Sequence, residues 1–314
     1  MTTARPNDLL QDARNGVARA FTLVEIMVTV ALLSIIILGL VAMFNQTRRA
    51  FTSSLAQVDV LESGRGAADM IARDLEQMAP CYYSNAVNFD VGWGNYASIP
   101  TQMASPSDVW TNIIEELYFL TPSPVSNNQW NAVGYRLMPT DEANGVGSLY
   151  RFYLQGLTIT NSPTTPAANG YVMNLATTLN GVGGSPTFFN TAFNSVPPNN
   201  FSRIIDGVTY FRVLAYKTNG VLITNGTFNL FKTIQARGGR YPGLDYSYYF
   251  SSNAVPAYVE IELGILETQA YEKYRSFVPG TQAADNYLTS HPGVVHIFRQ
   301  RVPIRNVDPA TAYQ

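Results

Sequence analysis

Polar and apolar positions divide the chain into stretches with different rhythms. Residues 1–20 are mostly polar, with Arg5, Arg14 and Arg19 set against Asp8 and Asp12. From Ile26 to Thr47 there is no charged residue. At about 1.5 Å of rise per helical residue, that run covers a hydrocarbon core of about 30 Å. Apolar residues then recur in steps of three and four: Phe51, Leu55, Val58, Leu61, Gly64, Ala68, Ile71, Leu75 and Met78. Arg48, Arg49, Asp59, Glu62, Arg65, Asp69, Arg73 and Glu76 fall mostly off that stripe. The pattern predicts one helix from Phe21 to Ala79, apolar in residues 21–47 and amphipathic in 48–79, its stripe laid on a globular domain. Pro80 ends it.

Beyond Pro80 the rhythm shortens to runs of β-branched and aromatic residues between turn formers, which predicts antiparallel strands. The candidates are "EELYFLT" (115–121), "AVGYRLM" (132–138), "SLYRFYL" (148–154), "GVTYFRVLAYK" (207–217), "YVEIELGILE" (258–267) and "VVHIFRQRVPI" (294–304). The second and third face each other across "PTDEANGVG", and "KTNG" before "VLIT" marks another turn. No strand–helix–strand alternation points to a parallel sheet. The expected fold class is α+β: a long N-terminal helix on an antiparallel sheet domain spanning 80–306, with a tail at 307–314. Residues 155–202 and 232–256, rich in Thr, Asn, Pro, Gly and Ser, read as long loop insertions. "YVMNLATTL" and "TFFNTAF" lie within the first as possible small elements. Tyr241, Tyr246, Tyr248, Tyr249 and Phe250 in the second read either as a contact surface or as aromatics that pin a loop to the sheet.

Charge and composition narrow the classes of function. Only 13% of residues are charged and the formal net charge is −2. Lys and Arg are dispersed, so no nucleic-acid partner is expected. A neutral polar surface rich in Tyr, Thr, Ser, Asn and Gly suits an exported protein or a filament subunit. The lone Cys81 allows no intrachain disulfide and no Cys-rich metal site, and a partly buried thiol is expected there. His291 and His296 lie five apart, the wrong spacing for a helical metal pair. There is no Gly-x-Ser-x-Gly, and the Gly-rich "ARGGRYPG" and "GVGGSP" lack the Lys-Ser/Thr of a phosphate loop. The chain therefore does not read as an enzyme, and no cofactor is expected. Asp141, Glu142 and Asn144 form an oxygen cluster that is a candidate for Ca²⁺, but without the spacing of a Ca²⁺ loop an exposed polar turn is the better reading.

One residue disturbs the apolar stretch. Glu25 stands at its head, where an unpaired carboxylate is costly in lipid or in a packed bundle. The run is longer than a secretory signal core, and no Ala-x-Ala closes it. "FTLVEIMVTVALLSIIILGLVAMFNQ", with Arg19 just before it, resembles the N-terminus of type IV prepilins and type II secretion pseudopilins. The resemblance implies that residues 1–20 are a leader, removed by prepilin peptidase between Ala20 and Phe21 at the cytoplasmic side of the inner membrane. Ala20 stands where the family usually has Gly. Phe21 would become the N-methylated first residue and Glu25 the fifth, its charge met on assembly by the Phe21 amine of a neighbouring subunit. The alternative is a Glu reaching for lipid headgroups at the end of an ordinary anchor.

Further patches resemble the PulJ/GspJ-type minor pseudopilins and PilW-type minor pilins: "GRGAADMIARDLEQ", "AVGYRL", "SLYRFY", "IIDGVTYFRVLAYKTNG", "PAYVEIELGI" and "FRQRVPIRN". From this resemblance come a pilin-like fold, other pilins or pseudopilins as partners, a single inner-membrane pass with the globular part in the periplasm or outside the cell, and the calcium bound by some members. Two roles are implied: a structural subunit that joins or caps a filament, or a membrane-anchored binding module whose loops at 155–202 and 232–256 take a secreted substrate or surface ligand.

Overall fold

The computed structural model describes residues 21–82, 87–93, 101–105, 108–124, 129–139, 146–158, 200–224, 234–238, 246–278 and 281–307. Helix α1 runs Leu23–Glu76, 54 residues. Its last turn tightens, with Gln77 N on Asp74 O and Met78 N on Leu75 O, before Pro80 stops it. The chain separates into two units, residues up to Leu55 and residues from Ala56 onward.

In the first unit every residue from Phe21 to Leu55 is exposed. The hydroxyl side chains in the apolar run are satisfied within the helix: those of Thr29, Ser34 and Thr47 donate to the carbonyls of Ile26, Val30 and Met43 at 2.8–2.9 Å. A span without water needs this internal pairing. Among the described residues, α1 is the helix long and apolar enough to cross a membrane.

The second unit is built on a nine-stranded antiparallel sheet in the order β11-β10-β7-β6-β5-β4-β1-β9-β8. Its strands are β1 (Val87–Trp93), β4 (Glu115–Pro122), β5 (Gln129–Pro139), β6 (Gly147–Thr158), β7 (Phe201–Tyr216), β8 (Ile234–Gly238), β9 (Tyr246–Ser251), β10 (Tyr258–Leu266) and β11 (Val295–Pro303). A separate hairpin pairs β2 (Thr101–Ser105) with β3 (Asp108–Thr111). Two short helices, α2 (Thr268–Arg275) and α3 (Gln282–Ser290), link β10 to β11. They pack on each other through Tyr271, Tyr274, Ala284 and Leu288.

From Val60 onward α1 lies on the sheet, burying Gly64, Ala68, Ile71 and Leu75 against Leu117, Phe119, Tyr135, Phe211 and Ile261. Gly64 suits this approach, because a Cβ there would overlap the Phe298 ring of β11 where it stands. The expected stripe is corrected at its start: Phe51, Leu55 and Val58 are 67%, 65% and 55% exposed, and Leu61 is also exposed. The sequence explains why. Steps 55→58→61→64 are all of three residues, and each lags a full turn by about 60°, so Leu55 ends up on the side opposite Gly64. Val60 and Ala67 complete the buried face instead.

Six predicted strands correspond to β4, β5, β6, β7, β10 and β11, and β5 pairs with β6 from Pro139↔Gly147 to Gln129↔Thr158. "KTNG" makes a tight turn, with Lys217 N on Val221 O and Gly220 at φ +77°, but it leads only to the isolated bridge Tyr216↔Leu222. Two loop assignments change. Residues 155–158 extend β6, and 201–202 open β7; 159–199, including "YVMNLATTL" and "TFFNTAF", lie outside the described residues. Within 232–256, β8 and β9 form a hairpin on β1, with Tyr248 and Phe250 buried in the core and Tyr249 buried on the opposite face. Those aromatics are packing, not a contact surface; Tyr241 lies outside the described residues.

The sheet also curls. Gly207 at φ +70° turns β7, so its first half pairs with β6 and its second with β10. The side of β7 left open is taken by the segment before β4: Phe211 N donates to Ile113 O at 2.8 Å. The buried Glu115 carboxylate accepts Val213 N at 2.5 Å and Tyr246 N at 3.4 Å. One side chain thus stands in for a missing strand and ties β4, β7 and β9 together.

Candidate functional site

The head of α1 is organised locally. Thr22 caps the helix: Glu25 N donates to Thr22 Oγ1 at 3.3 Å, and Thr22 N donates back to Glu25 Oε2 at 3.5 Å. This is a capping box, and the sequence carries its signature, Thr-x-x-Glu ahead of an apolar run. The carboxylate also sits at the positive end of the helix dipole. Both bonds to it, including one from Thr22 Oγ1 at 3.5 Å, are at the long limit for hydrogen bonding. Glu25 and Phe21 are exposed. The local fold therefore orients the carboxylate without saturating it, leaving room for a shorter, charged donor.

Farther along α1 runs an apolar surface with no partner among the described residues. Leu40, Phe44, Phe51, Leu55 and Val58, all exposed, share one side of α1. Phe51, Leu55 and Val58 carry this side past Arg48 and Arg49, beyond the charge-free run.

On the other side, α1 is locked to the sheet by charge as well as packing. Asp74 takes a two-pronged contact from Arg151, Nε to Oδ2 at 2.6 Å and Nη2 to Oδ1 at 3.2 Å, and accepts the Tyr135 hydroxyl at 2.5 Å. Burial pushes the Tyr135 hydroxyl far above its usual range, and the Asp74 charge pushes it further. Periodicity placed Asp74 on no stripe, so its role was not legible in the sequence.

The face of the sheet away from α1 carries a second charged lattice on β7, β10 and β11. Glu262 meets Arg299 at 2.6 Å and Arg212 at 3.5 Å, and accepts the Tyr210 hydroxyl at 2.9 Å. Glu260 accepts the Tyr216 hydroxyl at 3.0 Å, and Arg301 lies over the Tyr216 ring at 3.7 Å. Burial, and then Glu262, raise Tyr210; burial and Glu260 raise Tyr216. Farther along the sheet, Glu116 and Arg136 form a buried ion pair at 2.7 Å.

The remaining candidates scatter. Ala20 and the trio Asp141, Glu142 and Asn144 lie outside the described residues. Among the described residues no group of three His, Cys, Asp or Glu is placed to hold a metal ion. His291 ends α3, its Nδ1 2.8 Å from Tyr287 O, while His296 on β11 meets Glu267 at 3.1 Å. Cys81 is buried more deeply than expected, and its amide donates to Asn88 Oδ1. A groove of about 250 Å³ beside Asp59, Asp206, Thr268 and Glu272 is acidic. Its carboxylates have neighbours of their own: Thr268 for Asp59, Arg203 for Asp206 and Arg275 for Glu272.

No protein-family model matches the chain and no curated protein matches it in sequence. Among solved structures, it is similar to a chain of the GspK-GspI-GspJ complex from the enterotoxigenic Escherichia coli type 2 secretion system. The identity is 13%, the TM-score 0.30, and the alignment covers 79% of this chain and 99% of that one. A likeness that remote identifies neither family nor function.

Proposed function

We propose that the chain is a membrane-anchored filament subunit of the pilin and pseudopilin class, of the minor PulJ/GspJ or PilW type. It is cut between Ala20 and Phe21 by prepilin peptidase and assembles through α1 with other pilins or pseudopilins. The observation that carries this reading is the head of α1. A 22-residue charge-free run follows one under-satisfied carboxylate, and every residue from Phe21 to Leu55 is exposed. A lipid anchor accounts for the apolar run. It does not account for Glu25, which costs about 3 kcal/mol if it enters the hydrocarbon region uncompensated. Nor does it account for Phe51, Leu55 and Val58, which extend the apolar side beyond Arg48 and Arg49. Neighbouring helices account for both, since they bring an amine to Glu25 and bury the extended side.

N-terminal sequencing of the protein extracted from membranes tests the processing step, and Phe21 is the first residue expected. Glu25→Ala tests the pairing. It is expected to leave membrane insertion and folding intact while abolishing co-isolation with partner subunits. A chain that keeps residues 1–20, or a Glu25→Ala variant that assembles normally, overturns the reading.

A further inference from the structure

Among the described residues the nine-stranded sheet ends on β11. β11 pairs with β10 along its whole length, from Tyr258↔Pro303 to Leu266↔Val295, and no hydrogen-bonded strand lies on its other side among the described residues. The direction of its backbone groups follows from two bonds. Ile304 N donates to Ala257 O, and Val294 O accepts Glu267 N, each at 2.9 Å. Even-numbered residues therefore turn toward β10, and alternation turns the backbone groups of Val295, Ile297, Arg299, Arg301 and Pro303 outward. The side chains of Ile297, Arg299 and Arg301 stand on the face away from α1, because Phe298 between them reaches Gly64.

We propose that this edge is a docking site for an extended acidic segment of a partner protein, added as a further antiparallel strand with carboxylates opposite Arg299 and Arg301 and an apolar residue opposite Ile297. The outward amides of Ile297, Arg299 and Arg301 are its ladder donors. Pro303 falls on an outward position, where it has no N–H to lose, and marks where pairing stops.

The charge pattern selects the occupant. Three cations, Arg212, Arg299 and Arg301, face two anions, Glu260 and Glu262, leaving one positive charge in surplus at the rim. The side chains of Arg299 and Arg301 are 61% and 43% exposed, and each guanidinium has donors beyond those its glutamates take. β10 already demonstrates the match from the inner side, with Glu260 opposite Arg301 and Glu262 opposite Arg299. A second copy docking antiparallel in the register centred on Gln300, β11 on β11, meets arginine with arginine, and a neutral strand gains no ion pair. The edge is thus blunted against itself, as exposed edges generally are, yet complementary to an acid-x-acid-x-apolar strand. Ile297 is 45% exposed and supplies the apolar step of that register.

The test uses the full chain in detergent micelles and a labelled peptide, Thr-Thr-Glu-Thr-Glu-Thr-Val-Thr, with its lysine counterpart as control. Saturable binding of the acidic peptide alone is expected in fluorescence anisotropy at low salt. Ile297→Pro removes an outward amide that β10 does not use. It is expected to weaken binding by about tenfold while leaving the unfolding transition in place. Arg299→Gln combined with Arg301→Gln serves as a second variant that spares the backbone, and is expected to erase the preference over the lysine peptide. No saturable binding, equal binding of both peptides, or binding indifferent to both variants overturns the proposal. Glu25→Ala should leave this binding unchanged, which separates the edge from the role of the helix.

Discussion

At the scale of single residues, two positions hold α1 to the sheet in different ways. Gly64 works by absence: the Phe298 ring occupies the space where a Cβ would be, so Gly64→Ala forces the ring, the edge strand or the helix to shift. The expected cost is about 1–3 kcal/mol, typical of overpacking, and it should appear as a lower denaturant midpoint with an unchanged slope. A stability equal to or above the parent would mean that Phe298 swings away freely. Asp74 works by charge. Its carboxylate is the shared acceptor of Arg151 and Tyr135, and Asp74→Ala leaves a guanidinium half-buried with no counter-ion. A loss of about 2–4 kcal/mol is expected, less than for a fully buried pair because both side chains keep some contact with water. Replacing Tyr135 with Phe should cost only about 1 kcal/mol, since Asp74 retains Arg151.

At the scale of elements, α1 has two apolar sides, and the substitutions that separate them are simple. Ile71→Ala, in the core, is expected to cost about 2–5 kcal/mol, whereas Val58→Ala should change stability by less than about 0.5 kcal/mol in the isolated chain. The order should reverse for assembly: Val58→Ala weakens co-isolation with partner subunits while Ile71→Ala acts only through folding. Equal stability losses at both positions would mean that Val58 has a partner within the chain. This division also marks the limit of what periodicity can tell. A stripe of threes and fours was legible in the sequence, but a run of consecutive three-residue steps rotates off the face it began on. The strands with strong alternation, β4 to β7, β10 and β11, were legible too. β9 was not, because "YSYYFS" places a third tyrosine, Tyr249, on its serine face, which blurs the alternation, and it sits among Gly, Pro and Tyr that read as loop. β1 carries a legible signal, since Val87, Phe89 and Val91 alternate cleanly into the core. Of the site, Glu25 stood out because a charge before an apolar run is conspicuous; Arg299 and Arg301 did not, because their meaning depends on β11 ending the sheet, a property of topology and not of any local pattern.

At the scale of the whole molecule, tyrosines make the sheet domain sensitive to alkali. Tyr135 on β5, Tyr210 on β7 and Tyr248 and Tyr249 on β9 are all raised well above the ordinary phenol range, in each case chiefly by burial. Neighbouring carboxylates add to the shift: Asp74, Glu262, Glu115 and Asp90 respectively. A group whose pKa is higher in the folded chain holds its proton more tightly there. The stability it contributes is complete below the unfolded value of about 10 and is lost as pH rises toward the folded one. These residues sit on three strands, β5, β7 and β9, none of which neighbours another in the sheet order, so opening one strand does not expose them together. Above about pH 10 the unfolding midpoint should fall with each increment of pH, and phenolate absorbance should rise in two phases. Phenols already open to solvent supply the first phase, and the buried set ionises only as the strand signal in circular dichroism is lost. A single titration centred near pH 10, with the strand signal intact, would show that the interior admits hydroxide without opening. In that case the carboxylates beside these phenols, Asp74 and Glu262 among them, do not stand in the dry surroundings that make their ion pairs specific.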